Sequence, residues 1–317
     1  APVPFVAGET VIQYAGQVFD SEEIAAGVEA MLQPWITLGP QGHAFEAELA
    51  ECVGVESSIL TNSGSSANLL AVSILTSHKN SERGRLVAGD EIITAAAGFP
   101  TTVFPILQCG AVPVFIDSDP ATGNARCDQL AAALSPRTKA VMLAHTLGNP
   151  FDVDTVKAFC RKHDLWFIED NCDALGTTYD GKPTGSFGHI STQSFYPPHH
   201  ITMGEGGAVN VCSHKFAALA RSFRDWGRDC WCDCGKDNTC RNRFNWQLGE
   251  LPEGYDHKYI YAHMGYNLKP LDVQAAIGRV QLRKLPAFTA ARRANWQTLR
   301  DGLADLGEFF DFMEPTP

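Results

Sequence analysis

Apolar residues along this chain fall into short continuous runs separated by helical patterns. Glu91 to Thr94, Val112 to Asp117, Ala140 to His145 and Leu165 to Asp170 read as strands, as do Gln193 to Tyr196 and Gly207 to Val211. Short runs with little polar alternation suit strands buried on both faces. Ser65 to Leu75, Asp128 to Leu134, Asp154 to His163 and Ser213 to Trp226 carry helical spacing. Strands alternating with helices predict the α/β class with a mainly parallel central sheet. Two of the strands, VPVFID and LWFIED, end in aspartate. The carboxyl ends of such strands are where α/β sheets place ligands.

From about residue 228 to 263 the pattern fails, and Cys, Asp, Asn, Gly, Trp and Tyr dominate. A loop longer than about 15 residues is usually functional, or ordered by something else such as a metal. Helical character returns at Asp272 to Leu285 and Ala287 to Leu306. The chain therefore divides into a large domain, 1–270, with an N-terminal segment and the cysteine-rich loop 228–263, and the start of a smaller α/β domain, 271–317.

Composition narrows the function. The chain has 317 residues, 44% of them hydrophobic, and a formal charge of −11. That suffices for a packed core and argues against a nucleic-acid or anionic-membrane binder. No apolar stretch approaches the roughly 20 residues of a membrane span, and APVPFVAGET lacks the features of a secretion signal. A soluble, cytoplasmic protein is expected. Ten cysteines are then unusual, because cytosolic thiols stay reduced. Cys52, Cys109, Cys127, Cys160 and Cys212 stand singly and read as core or surface residues. Cys230, Cys232, Cys234 and Cys240 crowd within eleven residues, and Cys172 follows an apolar strand. Clustered cysteines in a reducing compartment argue for metal or catalysis.

Two segments carry candidate chemistry. Ser63-Gly64-Ser65 opens a helix, where N–H groups and hydroxyls can cradle a phosphate; an ordinary serine cap is the competing reading. Further on, Ser194-Phe195 is followed by His199 and then by Gly204-Glu205-Gly206-Gly207. This segment resembles the cofactor-lysine motif of the DegT/DnrJ/EryC1 sugar aminotransferases, which are fold-type I pyridoxal-phosphate (PLP) enzymes, with His199 in the lysine position.

The resemblance extends along the chain and implies roles. Ser63, Gly64 and Ser65 match the phosphate cup, with Ser194 as a second phosphate contact. Phe99 matches the aromatic residue stacked on the pyridine ring, and Asp170 the partner of the ring nitrogen. Asp173 falls in the same cofactor-binding segment, and Asn267 matches an asparagine that reaches the neighbouring subunit's phosphate. A C₂ homodimer is implied.

One branch of the family is more similar still, on the His-for-Lys exchange, the run Tyr196-Pro197-Pro198-His199-His200-Ile201-Thr202-Met203 and the cysteine-rich loop. That branch dehydrates nucleotide-linked 4-keto-6-deoxyhexoses at C3 on the way to 3,6-dideoxysugars such as those of lipopolysaccharide O-antigens. It uses pyridoxamine 5′-phosphate (PMP) and a [2Fe–2S] cluster. Its cluster cysteines are separated by 57, 1 and 7 residues, and Cys172, Cys230, Cys232 and Cys240 have those spacings here.

The chemistry is consistent. Lysine would hold the cofactor aldehyde as an imine and shuttle a proton; histidine can only do the second. The resemblance implies that His199 takes the proton at C4′ of PMP, that the C3 hydroxyl leaves, and that Asp170 keeps the pyridine ring an electron sink. An NAD(P)H-dependent flavin or iron–sulfur reductase would feed the cluster, and a CDP-linked sugar is the expected substrate. Cys172 lies two residues after Asp170, which would put a cluster close to the cofactor. Three rivals stand: zinc on Cys230, Cys232, Cys234 and Cys240; a PMP dehydrase with no relay; and a non-catalytic binding protein of the aminotransferase fold. His145 and Asn149 follow a strand end, where a sugar site could lie, but neither is counted among the site residues. The family runs on by roughly another hundred residues, so a fragment lacking most of the small domain, and trimmed at the N-terminus, is expected.

Overall fold

The computed structural model describes residues 4–13, 15–230, 232, 238–239 and 241–316. Two helices come first, α1 (Ser21–Met31) and α2 (Pro40–Val53). Then follow β1 (Ser57–Thr61), α3 (Gly64–Leu75), β2 (Glu91–Ala95), α4 (Pro100–Gln108) and β3 (Val112–Ile116). The short α5 (Leu130–Ala133) precedes β4 (Thr138–Ala144), α6 (Val153–Lys162) and β5 (Trp166–Asp170). A small hairpin, β6 (Thr178–Tyr179) with β7 (Lys182–Pro183), leads to β8 (Ile190–Ser194), β9 (Gly207–Val211) and α7 (His214–Arg224). The long α8 (Asp272–Gly302) closes the regular structure.

Seven strands form one sheet in the order β1-β9-β8-β5-β4-β2-β3. β8, β5, β4, β2 and β3 run parallel, and β9 is antiparallel to both of its neighbours. The mainly parallel sheet expected from the sequence is present. Side chains alternate between two buried faces. Ile59, Met142 and Ile168 pack with α3, α4 and α7 on one side. Leu60 packs with α2 and α8 on the other, and Val141, Leu143 and Phe167 with α5 and α6. β3 departs from full burial: it is an edge strand, and Val112 and Phe115 are exposed. Among the described residues no helix is long and apolar enough to cross a membrane.

Some elements differ from the sequence reading. β8 begins at Ile190 rather than Gln193, because Ile190-Ser191-Thr192 pairs with β5 and β9 despite its hydroxyls. The two helices expected on either side of Pro286 are one helix. Proline removes one hydrogen bond and costs about 3 kcal/mol inside a helix. Burial of Ala275, Ala276, Val280, Leu282 and Leu285 on the core-facing side offsets that cost. Unforeseen are β1, α1, α2 and α4. Asp20 and Glu23 form a capping box on α1, and Pro40 with left-handed Gly54 brackets α2.

Candidate active site

A cavity of about 560 Å³ opens at the carboxyl ends of β4, β5 and β8. Gly64, Ser65, Phe99, Asp170, Cys172, Asp173, Ser194 and His199 all line it, although they span 136 positions of sequence. Ser63 stands behind as the N-cap of α3, its Oγ accepting the Ser66 N–H at 3.1 Å. The serine-cap reading thus applies to Ser63, while Gly64 and Ser65 present the first helical turn to the cavity.

Two close approaches build this end of the cavity. A Cβ on Gly64 would lie 2.4 Å from the Ser194 Cβ, and one on Gly207 would lie 2.4 Å from the Ser63 carbonyl oxygen. Only glycine lets the start of α3 sit against the end of β8 and the start of β9. Bare N–H groups of a helix N-terminus beside the Ser65 and Ser194 hydroxyls form a cradle for a phosphate.

Asp170 ends β5 and is almost fully buried. Its Oδ2 accepts hydrogen bonds from Asn68 Nδ2 at 2.8 Å and Thr102 Oγ1 at 2.7 Å. Its Oδ1 accepts the Cys172 N–H at 3.2 Å. Thr192 Oγ1 in turn donates to Asn68 Oδ1 at 2.7 Å, which orients the amide. The carboxylate is therefore fixed at the cavity floor, while Phe99, at the N-cap of α4, leaves most of its ring exposed at the wall.

His199 sits in the β8–β9 connection, its N–H donating to the Tyr196 carbonyl at 2.9 Å across Pro197-Pro198. Its Nδ1 lies 3.1 Å from Asp173 Oδ1. A carboxylate on Nδ1 holds the proton there and leaves Nε2 as the basic nitrogen. Neighbouring His200 differs: burial first, then the Arg292 guanidinium, push it down to about 4. It is neutral at neutral pH.

Other candidates are engaged in structural contacts or lie outside the cavity. His145 lines the cavity but is a fully buried partner of Glu169, at 3.0 Å, stacked on Phe151. Asn149 donates to the Thr122 and Glu314 carbonyls and accepts the Thr316 N–H. Asp117, the other strand-end acid, lines a separate hollow. Asn267 is outside this cavity, where its Oδ1 accepts from Lys269 Nζ at 2.7 Å. Residues the sequence reading missed are Asn68, Thr102 and Thr192, which orient Asp170; their signal was only their polarity inside apolar elements.

The residues fit a pyridoxal-type cofactor: a cradle that a single Cβ would fill, a buried carboxylate and an exposed aromatic ring face one cavity. Of the proposed cluster ligands, Cys172 is on the cavity wall. Burial, then the Asp170 and Asp173 carboxylates, push its thiol well above the ordinary value. Cys230 and Cys232 are partly buried, and Cys234 and Cys240 lie outside the described residues. Among the described residues no three His, Cys, Asp or Glu side chains gather as a metal cage.

Residues 18–316 match the DegT/DnrJ/EryC1/StrS aminotransferase family. The chain belongs to that family. Among its relatives in the family is a Saccharopolyspora spinosa protein named dTDP-4-dehydro-2,6-dideoxy-D-glucose 3-dehydratase. The two are 55% identical over 302 residues, 95% of this chain and 65% of the relative. The Salmonella typhimurium lipopolysaccharide biosynthesis protein RfbH is 52% identical over 316 residues, 100% of this chain and 72% of the relative. The chain thus spans about two thirds of the length of these curated relatives. Among solved structures, the E. coli GDP-4-keto-6-deoxy-D-mannose-3-dehydratase with bound hydrated PLP superposes with a TM-score of 0.84 at 28% identity. That match covers 96% of this chain and 75% of the other. The fold is that of the PLP aminotransferase-like enzymes of fold type I.

Proposed function

We propose that this chain belongs to a PMP-dependent dehydratase that removes the C3 hydroxyl of a nucleotide-linked 4-keto-6-deoxyhexose. One observation carries the reading: His199, which stands at the lysine position of the motif this segment resembles, lines the cavity and is paired through Nδ1 with Asp173. The names of the relatives support the substrate class. Bound PMP supplies an amine for the C4 ketone and a ring that accepts electrons as the C3 hydroxyl leaves.

The chain's own residues supply the rest. Ser65, Ser194 and the first turn of α3 bind the phosphate. Phe99 covers one face of the ring. Asp170, oriented by Asn68 and Thr102, holds a proton on the ring nitrogen. Nε2 of His199 takes the proton from C4′, and Asp173 stabilises the imidazolium that results. Ser63 supports the cradle as a cap, and Asn267 contacts a second copy of the chain in a homodimer.

The finer reading is a CDP-linked sugar, a [2Fe–2S] cluster on Cys172, Cys230, Cys232 and Cys240, and an NAD(P)H-dependent flavin or iron–sulfur reductase as partner, in the cytoplasm. The 57, 1 and 7 spacing and the place of Cys172 beside Asp170 support it.

The test uses PMP tritiated at C4′ with CDP-, dTDP- and GDP-4-keto-6-deoxyhexoses. Tritium should reach solvent only when substrate is present, fastest with the CDP sugar, and hardly at all in His199→Asn. Wild-type release in His199→Asn would overturn the assignment. Iron and sulfide analysis of anaerobically purified protein should give about two of each per chain. Cys172→Ser should remove them. Zinc without iron, unaffected by Cys172→Ser, would remove the relay and leave the simple dehydratase.

A further inference from the structure

His199 needs more than Asp173 to hold it. Its segment, Tyr196 to Ile201, has no regular structure, and two prolines in it lack N–H donors. Backbone bonds tie the segment at its edges: His199 N–H to Tyr196 O at 2.9 Å, and Met203 N–H to Phe195 O at 3.1 Å. The carbonyls of His199 and His200 point the other way, towards α8. There Arg292 Nη2 donates to the His199 carbonyl at 2.9 Å and Nη1 to the His200 carbonyl at 3.0 Å.

A planar fork that grips two successive carbonyls fixes the peptide planes on either side of His200. The first of these planes, together with the His199 N–H bond to the Tyr196 carbonyl, brackets the Cα of His199 and so sets the direction of its side chain. Arg292 is exposed on α8, and its charge stands beside the ring of His200. It stands near the middle of the second half of α8, 93 residues from His199 in sequence.

We propose that Arg292 is a positioning residue for His199, so that α8 sets where the proton-transferring imidazole points. The imidazole is held at two places: Asp173 grips the ring and Arg292 grips the backbone. Lysine cannot replace the fork, because its ammonium is a point donor on a flexible stem and cannot fix two carbonyls as one plane. The reading rests on His199 acting as the base, and the experiment separates the two ideas.

Arg292→Lys and Arg292→Met would be compared with wild type in the full PMP-loaded protein. Two quantities are measured: kcat and KM for the 4-keto-6-deoxyhexose substrate, and ¹⁵N NMR of the histidine rings without substrate. Misplacing a catalytic group by about 1 Å can cost 10²-fold in rate. We expect kcat to fall by about 10- to 100-fold in both variants with KM within about threefold. The His199 ring should move from a single Nδ1–H tautomer to a mixture, in both variants. Melting temperature is measured alongside, and the lysine variant, which keeps the charge, guards against simple misfolding. A lysine variant with wild-type kcat and an unchanged His199 tautomer would overturn the proposal. So would a tautomer change confined to a variant that has lost its cooperative melt. Failure of the base assignment looks different: His199→Asn would stay active, while the tautomer of His199 would still depend on Arg292.

Discussion

Gly64→Ala should damage the cofactor site by a predictable amount. The added methyl would lie 2.4 Å from the Ser194 Cβ, 2.8 Å from its Oγ and 3.2 Å from its Cα. Carbon atoms pack comfortably at about 3.5–4.0 Å, so the start of α3 and the end of β8 must part by roughly 1 Å. Rotating the Ser194 side chain cannot solve this, because Cβ and Cα do not move with χ1. Overpacking of this kind costs about 1–3 kcal/mol. Alanine's helix preference over glycine returns at most about 1 kcal/mol. A net loss of about 1–2 kcal/mol in stability follows. The same displacement carries Ser65 away from Ser194, so PMP should lose about 2 kcal/mol of binding, or roughly 30-fold in Kd. Calorimetric titration with PMP and urea denaturation measure the two effects. Gly98→Ala is the control, since it lines the same cavity and its Cβ would meet nothing within 4 Å. Adding Ser194→Gly to Gly64→Ala should restore stability but not affinity. Equal PMP affinity in Gly64→Ala and Gly98→Ala would refute the close-approach argument.

Three further outcomes are expected. Asp173→Asn should lower kcat by about 10²-fold with little change in KM, because the amide no longer stabilises the imidazolium of His199; an unchanged kcat would leave Asp173 a cofactor contact only. Asp272→Ala should cost about 2–3 kcal/mol in urea denaturation, since this buried carboxylate accepts the N–H groups of Gly39, Gln41 and Gly42 at the start of α2. Glu46 is the acid-sensitive point: burial would raise it, but His43, Arg224, Arg221 and the Leu60 N–H outweigh burial and hold it below 4.5. A depressed folded value means stability that is present above about pH 4.5 and lost as pH falls through the folded value. Melting temperature against pH should therefore drop on the acid side, and Glu46→Gln should flatten that part of the curve.

How much of this was legible depended on whether the signal was local. The apolar runs gave β2, β4, β5 and β9 nearly to the residue, since a strand buried on both faces leaves an uninterrupted imprint, and they gave the edge strand β3 although Val112 and Phe115 are exposed. β1 escaped because Ser57-Ser58-Ile59-Leu60-Thr61 has only two apolar residues, and its ends are sheltered by tertiary packing. Pro286 misled because helix propensity is local, whereas packing against α1 and α2 lies more than 200 residues away. The site shows the same division. Asp170, Ser194 and His199 announced themselves by motif, and the fold brings them to one cavity. What orients them did not: Thr102 reaches Asp170 across 68 residues and Asn68 across 102.

That division bears on the proposal that His199 stands in for the family's lysine. A lysine that holds its cofactor covalently is placed by the bond it makes. A histidine makes no such bond, so its orientation must come entirely from non-covalent partners. Here those partners are Asp173 on the ring and Arg292 on the backbone, one on the strand β5 side of the cavity and one on α8. Each bond alone is worth little against the freedom of a loop that contains two prolines and no regular structure. Together they restrain the two ends of one residue. Exchanging lysine for histidine therefore shifts the demand for precision from the cofactor to the scaffold, and the catalytic consequence of disturbing α8 should be larger here than in a lysine-bearing relative.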